Sequence, residues 1–168
     1  MFPMPSTVPT SFLVLLLVVA GSLPAAAQTS NATLNASVTG LARVSLSTAT
    51  VTFADADPDT VPSIPASQGP ITISTKARTS VNGAVTLTVL ASGDLRSGLN
   101  TIPASSITWT ASGPGFTSGT LSATSAQTVA TWVGSGVRTG TQNFFFRNLW
   151  SYVTGTYTLT MTFTLSAA

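Results

Sequence analysis

The chain has 168 residues of which 43% are apolar and only 6% charged: six Lys and Arg against four acids, a net charge of +2, with no histidine and no cysteine. All four acids are aspartates, Asp55, Asp57, Asp59 and Asp94, so glutamate is absent too. These absences exclude Ser-His-Asp and Cys-His nucleophiles, His- or Cys-built zinc sites and a histidine general base, and cations scattered from Arg43 to Arg147 form no run suited to gripping nucleic acid.

Phe12 to Ala20 (FLVLLLVVA), then Gly21-Ser22-Leu23-Pro24, then Ala25-Ala26-Ala27 lay out an apolar core, a helix breaker and a small-residue cleavage site. The expectation is an export signal over residues 1–27, cut after Ala27, although no Lys or Arg precedes the apolar core. That core is shorter than the roughly 20 residues a bilayer-spanning helix needs, so no integral membrane segment is expected in the mature chain. Residues 28–168 have the length of a single domain, and without cysteine its stability has to come from packing and backbone pairing.

Beyond the signal, apolar residues recur at every second position and no window shows helical spacing, which predicts an all-β chain. Leu34, Ala36, Val38, Ala42, Val44 and Leu46 share one parity, and Val51 and Phe53 fall on the other, as one or two strands with a bulge or turn near Thr48 to Thr50. Asp55 to Pro70 holds four prolines and reads as an extended surface or edge loop. Strands are expected at Ile71–Ala77 and Val85–Ala91, with Asn82-Gly83 between them suiting a tight hairpin. A polar turn spans Ser92 to Asn100, and a strand follows over Ile107–Ala111. Gly113-Pro114-Gly115 is a turn, and further strands are expected at Val129–Val133, Gln142–Phe146 and within GTYTLTMTFTL, Gly155 to Leu165. About eight short strands with hydroxyl residues on the wet face describe a two-sheet antiparallel β-sandwich, immunoglobulin-like Greek key in topology, with a closed barrel as the alternative.

Chemistry would have to fall on aspartate. Asp55, Asp57 and Asp59 alternate along one loop and could converge on Ca²⁺, or else serve a solvated turn rich in Asp and Pro. The EF-hand pattern does not fit, since Thr60 and Ala66 stand where it needs Gly and Glu. Among the aromatics, Trp109 and Tyr157 share the parity of the apolar set and are expected in the core. Trp150 and Tyr152 are the candidates for an exposed, sugar-stacking platform, and Phe145, the middle ring of three, is a candidate contact patch. No enzymatic activity and no organic cofactor are expected.

Counted from Ala168, Gly155 is fourteenth and Leu165, Phe163 and Met161 are fourth, sixth and eighth. This alternating row after a glycine resembles the C-terminal strand of chaperone-usher pilus subunits, including the spore-coat-U-like secreted family. The chain departs from that family at Ala167, where an aromatic is usual, and in having no cysteine for a disulfide. The resemblance implies an immunoglobulin-like sandwich lacking one strand, a periplasmic chaperone that docks on the last strand, and assembly with further copies by strand addition. Residues 28–46, with Thr33 to Leu46 as their alternating part, are the candidate donor strand. The function expected is that of a secreted structural or adhesive protein at the cell surface, reached through the periplasm; the alternative is an extracellular carbohydrate- or calcium-dependent binding module.

Overall fold

The computed structural model describes residues 32–168; the export signal expected at 1–27 and residues 28–31 lie outside the described residues. In chain order the strands are β1 Leu41–Leu46, β2 Ser63–Pro65, β3 Ile71–Arg78, β4 Ala84–Ala91, β5 Leu95–Ser97, β6 Asn100–Ile102, β7 Ile107–Ser112, β8 Gly119–Thr120, β9 Gln127–Val133, β10 Gly136–Arg147 and β11 Met161–Ala167. One 3₁₀ turn, Ala104–Ser106, is the only helical element among the described residues, and none of their helices is long and apolar enough to cross a membrane.

The protein is an all-β sandwich of antiparallel sheets. The larger sheet runs β1-β3-β10-β7-β8, with β2 added along the end of β10; the smaller runs β11-β4-β9, and β5 with β6 forms a separate two-stranded ribbon. Residue parity decides which face is buried. Ile71, Ile73, Thr75 and Ala77 of β3 are buried while Thr72, Ser74, Lys76 and Arg78 face outward, and on β4 the row Val85, Leu87, Val89, Ala91 is buried. Ile71, Ile73, Leu87, Val89 and Ala91 of these rows meet Trp109, Phe144, Leu121 and Val129 in one core, with the Trp109 and Phe144 rings 6.2 Å apart. On β9 the neighbours Val129 and Ala130 are both buried, which strict alternation forbids; a bulge opposite Leu87 and Thr88 turns both inward.

The Asn82-Gly83 hairpin is a correction. β3 and β4 do not pair: they lie in different sheets, and Thr79–Gly83 carries the chain across from one to the other. That corner is held by the Gly83 N–H to the Ser80 carbonyl (3.1 Å) and the Gly134 N–H to the Gly83 carbonyl (2.9 Å). The physical reason is that both strands carry a fully buried row, and two such rows cover one another only from facing sheets. The proline-rich stretch behaves as its composition dictates, apart from β2, which pairs with Phe145–Arg147 along the margin of the sheet.

The strand directions define two poles. At the base β1, β4 and β10 begin and β3 and β11 end, joined by Ala168 N–H to Ala84 carbonyl (3.0 Å) and Ser135 Oγ to Thr79 carbonyl (3.0 Å). At the apex β3 and β11 begin and β4 and β10 end, joined by Ser92 N–H to Thr160 carbonyl (2.8 Å) and Ala91 N–H to Ser122 carbonyl (3.0 Å).

One core position runs against the apolar pattern. Gln142 on β10 is fully buried between Ile71 and Ala111, and neither its Nε2 nor its Oε1 has a hydrogen-bond partner. An orphaned buried amide costs about 1–3 kcal/mol. Gln142→Leu, similar in size and without polar atoms, is therefore expected to raise stability by about 1–3 kcal/mol in denaturant unfolding, whereas Gln142→Ala, which exchanges the amide for a cavity, gains less or loses.

Candidate functional site

The two strands nearest the chain ends leave an opening in the sandwich. β1 is paired through all six residues with β3 and with nothing else; β11 is paired through all seven with β4 and with nothing else. The outer edges of β1 and β11 approach one another across the gap between the sheets, and no backbone hydrogen bond joins them among the described residues. Register puts Ala42, Val44 and Leu46 on the inner side of β1, opposite buried Ala77, Thr75 and Ile73. On β11 the inner residues are Met161, Phe163 and Leu165.

These inward side chains are not covered. Met161, Phe163, Leu165 and Val44 are half-buried and Leu46 is 38% exposed, whereas Leu87 and Val89 on adjacent β4 are at 0%. The result is a narrow apolar groove edged by N–H and C=O groups that pair with no strand among the described residues; β1 and β11 come within 8 Å of one another along it, less than the about 9.6 Å that a strand between them requires, so admitting one needs β1 to move outward. At the base a shallow cavity of about 290 Å³ lies between Thr39, Gly40, Arg78 and Ala168. Gly155 precedes β11 in a loop whose Cα packs against Ser97, leaving no space for a side chain.

The structure divides the segment expected to act as a donor strand. Its second part, Leu41–Leu46, is an edge strand of its own sheet, while residues 32–40 carry no regular structure and Val38 is 71% exposed. Gly40 is the boundary between the two behaviours. Parity continues across it, so sequence pattern alone could not separate them.

At the apex the acidic loop and the second aromatic cluster meet. Asp57 closes a tight turn: its carbonyl accepts from the Val61 N–H (2.8 Å) and its Oδ1 from the Asp59 N–H (2.9 Å). The Asn148 side chain donates to the Ala56 and Val61 carbonyls (2.8 and 3.2 Å) and ties this loop to the end of β10. Trp150, 69% exposed, donates its indole N–H to Asp59 Oδ1 at 3.0 Å. Tyr152 does not share that exposure: it is half-buried, its ring lies 5.8 Å from Phe146 and its hydroxyl is 2.9 Å from Ser106 Oγ. Phe145 is half-buried on the outer face, between Pro65 and Thr108 of the flanking strands. Asp55, Asp57 and Asp59 are not brought together: among the described residues no group of three or more His, Cys, Asp or Glu is placed to hold a metal. Two of the three carboxylates are instead engaged by a backbone N–H and an indole.

No protein-family model matches the chain, and no curated protein is similar to it. Because the loop is folded by its own hydrogen bonds, treatment with EGTA followed by excess Ca²⁺ is expected to leave the thermal unfolding midpoint unchanged; a rise with Ca²⁺ would restore the calcium reading.

Proposed function

We propose that the protein is a secreted, non-enzymatic structural or adhesive subunit of the cell surface, which assembles by accepting a strand from another copy at the unpaired edge of β11, with β1 displaced outward to admit it. The observation that carries this reading is the half-covered inner row Met161, Phe163, Leu165 beside an unpaired edge. In the immunoglobulin scheme one sheet has the order A-B-E-D and the other contains C, F and G. The order β1-β3-β10-β7 is compatible with A-B-E-D and β4 beside β11 with C beside F, whereas β9, on the other side of β4, follows the D position in the chain and has no counterpart in that scheme. The place of G, beside β11, has no occupant among the described residues.

The donor is the segment Gln28 to Gly40 of a neighbouring copy, in which Ala32, Leu34, Ala36 and Val38 alternate with Thr33, Asn35, Ser37 and Thr39. At about 3.3 Å per residue it reaches about 40 Å, longer than the seven-residue β11 it would pair with. Each apolar side chain fully removed from water in the groove contributes about 1.5–3 kcal/mol, in addition to the edge hydrogen bonds formed along β11. Before assembly the same exposed edge is the docking place for a periplasmic chaperone. Deleting residues 28–40 is expected to leave a folded monomer, because β1 stays paired, that no longer polymerises but still takes up a synthetic 28–40 peptide. Polymerisation of the truncated chain, seen by electron microscopy and size-exclusion chromatography, would overturn the reading.

A second reading, carbohydrate binding at the apex, is favoured by the Trp150–Asp59 contact. An exposed indole held by its N–H to a carboxylate offers a fixed apolar face next to a hydrogen-bond acceptor, which is the pair of features a pyranose ring uses. Trp150→Ala is expected to abolish glycan-array binding and leave assembly intact, and a wild-type array without signal would remove this reading.

A further inference from the structure

The ten charged side chains are scattered in sequence and sorted in space. Arg43 lies directly across from Lys76 and Arg78 is paired with Leu41, so three cations share the outer face of the basal half of β1 and β3, while Arg138, paired with buried Thr75, stands at the basal end of β10 on the other face. All four are exposed, and no aspartate lies on any of these strands. Two like charges directly opposite one another on neighbouring strands repel, and the fold gains nothing from the arrangement. At the apex stand all four aspartates: Asp55, Asp57 and Asp59 on the loop tied to Asn148, and Asp94 accepting the Ala104 N–H at 2.9 Å. Only Arg96 and Arg147 accompany them. The base thus carries +4 and the apex −2, which together make the chain's +2.

We propose that the basal cationic patch of one copy docks on the acidic apex of the next, and that this contact sets the head-to-tail direction of the assembly. The inference rests on the strand-addition reading for the polymer, and the occupant of each pole is a second copy because each carries the charge the other lacks. Strand direction agrees with it. β1 rises from base to apex, so the chain before Gly40 leaves at the base and, in a base-on-apex stack, enters the neighbour's groove at the apex. The entering segment then runs antiparallel to the neighbour's β11, as β4 already does on the other side. Base-to-base docking would bring +4 against +4 and would lay the segment parallel to β11.

The test uses the full mature chain. Sedimentation and assembly rate are followed between about 20 and about 300 mM NaCl, a range over which screening of exposed charges becomes strong. A roughly tenfold slower assembly at the higher salt is expected. The variant Arg43→Glu, Lys76→Glu, Arg78→Glu is expected to assemble poorly alone, as is Asp55→Lys, Asp94→Lys. An equimolar mixture of the two is expected to recover association, because reversed base meets reversed apex, and that recovery also shows both variants to be folded. A salt-independent rate, wild-type assembly by either variant, no gain on mixing, or a closed dimer as the sole product overturns the proposal. Resistance to urea separates the two readings: urea-resistant polymers whose rate ignores salt retain strand addition and remove the poles, whereas salt-labile, urea-sensitive chains retain the poles and remove strand addition.

Discussion

Three strands of the smaller sheet have to cover the inner face of the larger one, and coverage fails where β1 meets β11. β4 is central in its sheet, paired on both sides, and its inner row is sealed against β3 and β10. One strand further out the same alternation is only half covered, though β11 is as regular as β4. The difference is not in the residues, since Met161, Phe163 and Leu165 are as apolar as Val85, Leu87 and Val89. It lies in the number of neighbours, and the strand-addition reading follows from that shortage. Unpaired backbone groups along β11 and the apolar side chains beside them share one remedy, a further strand added at that edge.

How much of this was legible in the sequence depends on the range over which each signal acts. Parity is local, and it placed β3, β4, β7 and the sealed face of each with little error. The step between sheets is not local: Asn82-Gly83 has the chemistry of a hairpin, yet the rows on either side are buried against each other from opposite sheets. Nor could parity divide residues 32–40 from Leu41–Leu46, because the two stretches have the same pattern and differ only in whether β3 is within reach. Trp150 and Tyr152, two residues apart and equally plausible as exposed rings, were separated by a single tertiary fact, the Phe146 ring that receives Tyr152. The alternate aspartates suggested convergence, but a turn closed by Asp57 and an indole drawn to Asp59 spend two carboxylates on local structure.

Charge is the clearest case of information that sequence order conceals. Arg43 and Lys76 are far apart along the chain and become neighbours only because β1 pairs with β3. In a protein with many charges such a cluster would be diluted by its surroundings. Here serine and threonine supply most of the wet face, so ten charges shape the entire field, and their sorting into two poles gives the molecule a direction.

That direction supplies what the groove lacks. An apolar floor with alternating side chains binds an alternating strand in either sense, and edge hydrogen bonds form in parallel and antiparallel ladders alike. Burial and backbone pairing therefore give affinity with weak control of orientation. Long-range charge has the opposite character: exposed pairs add little to stability, but they bias encounter and penalise the wrong juxtaposition. A heterologous contact repeated without closure makes an open filament, whereas a groove alone permits closed pairs as readily. In the proposed assembly, the separation of a hydrophobic groove from two charged poles would be a division of labour, with one feature holding copies together and the other deciding which way they face.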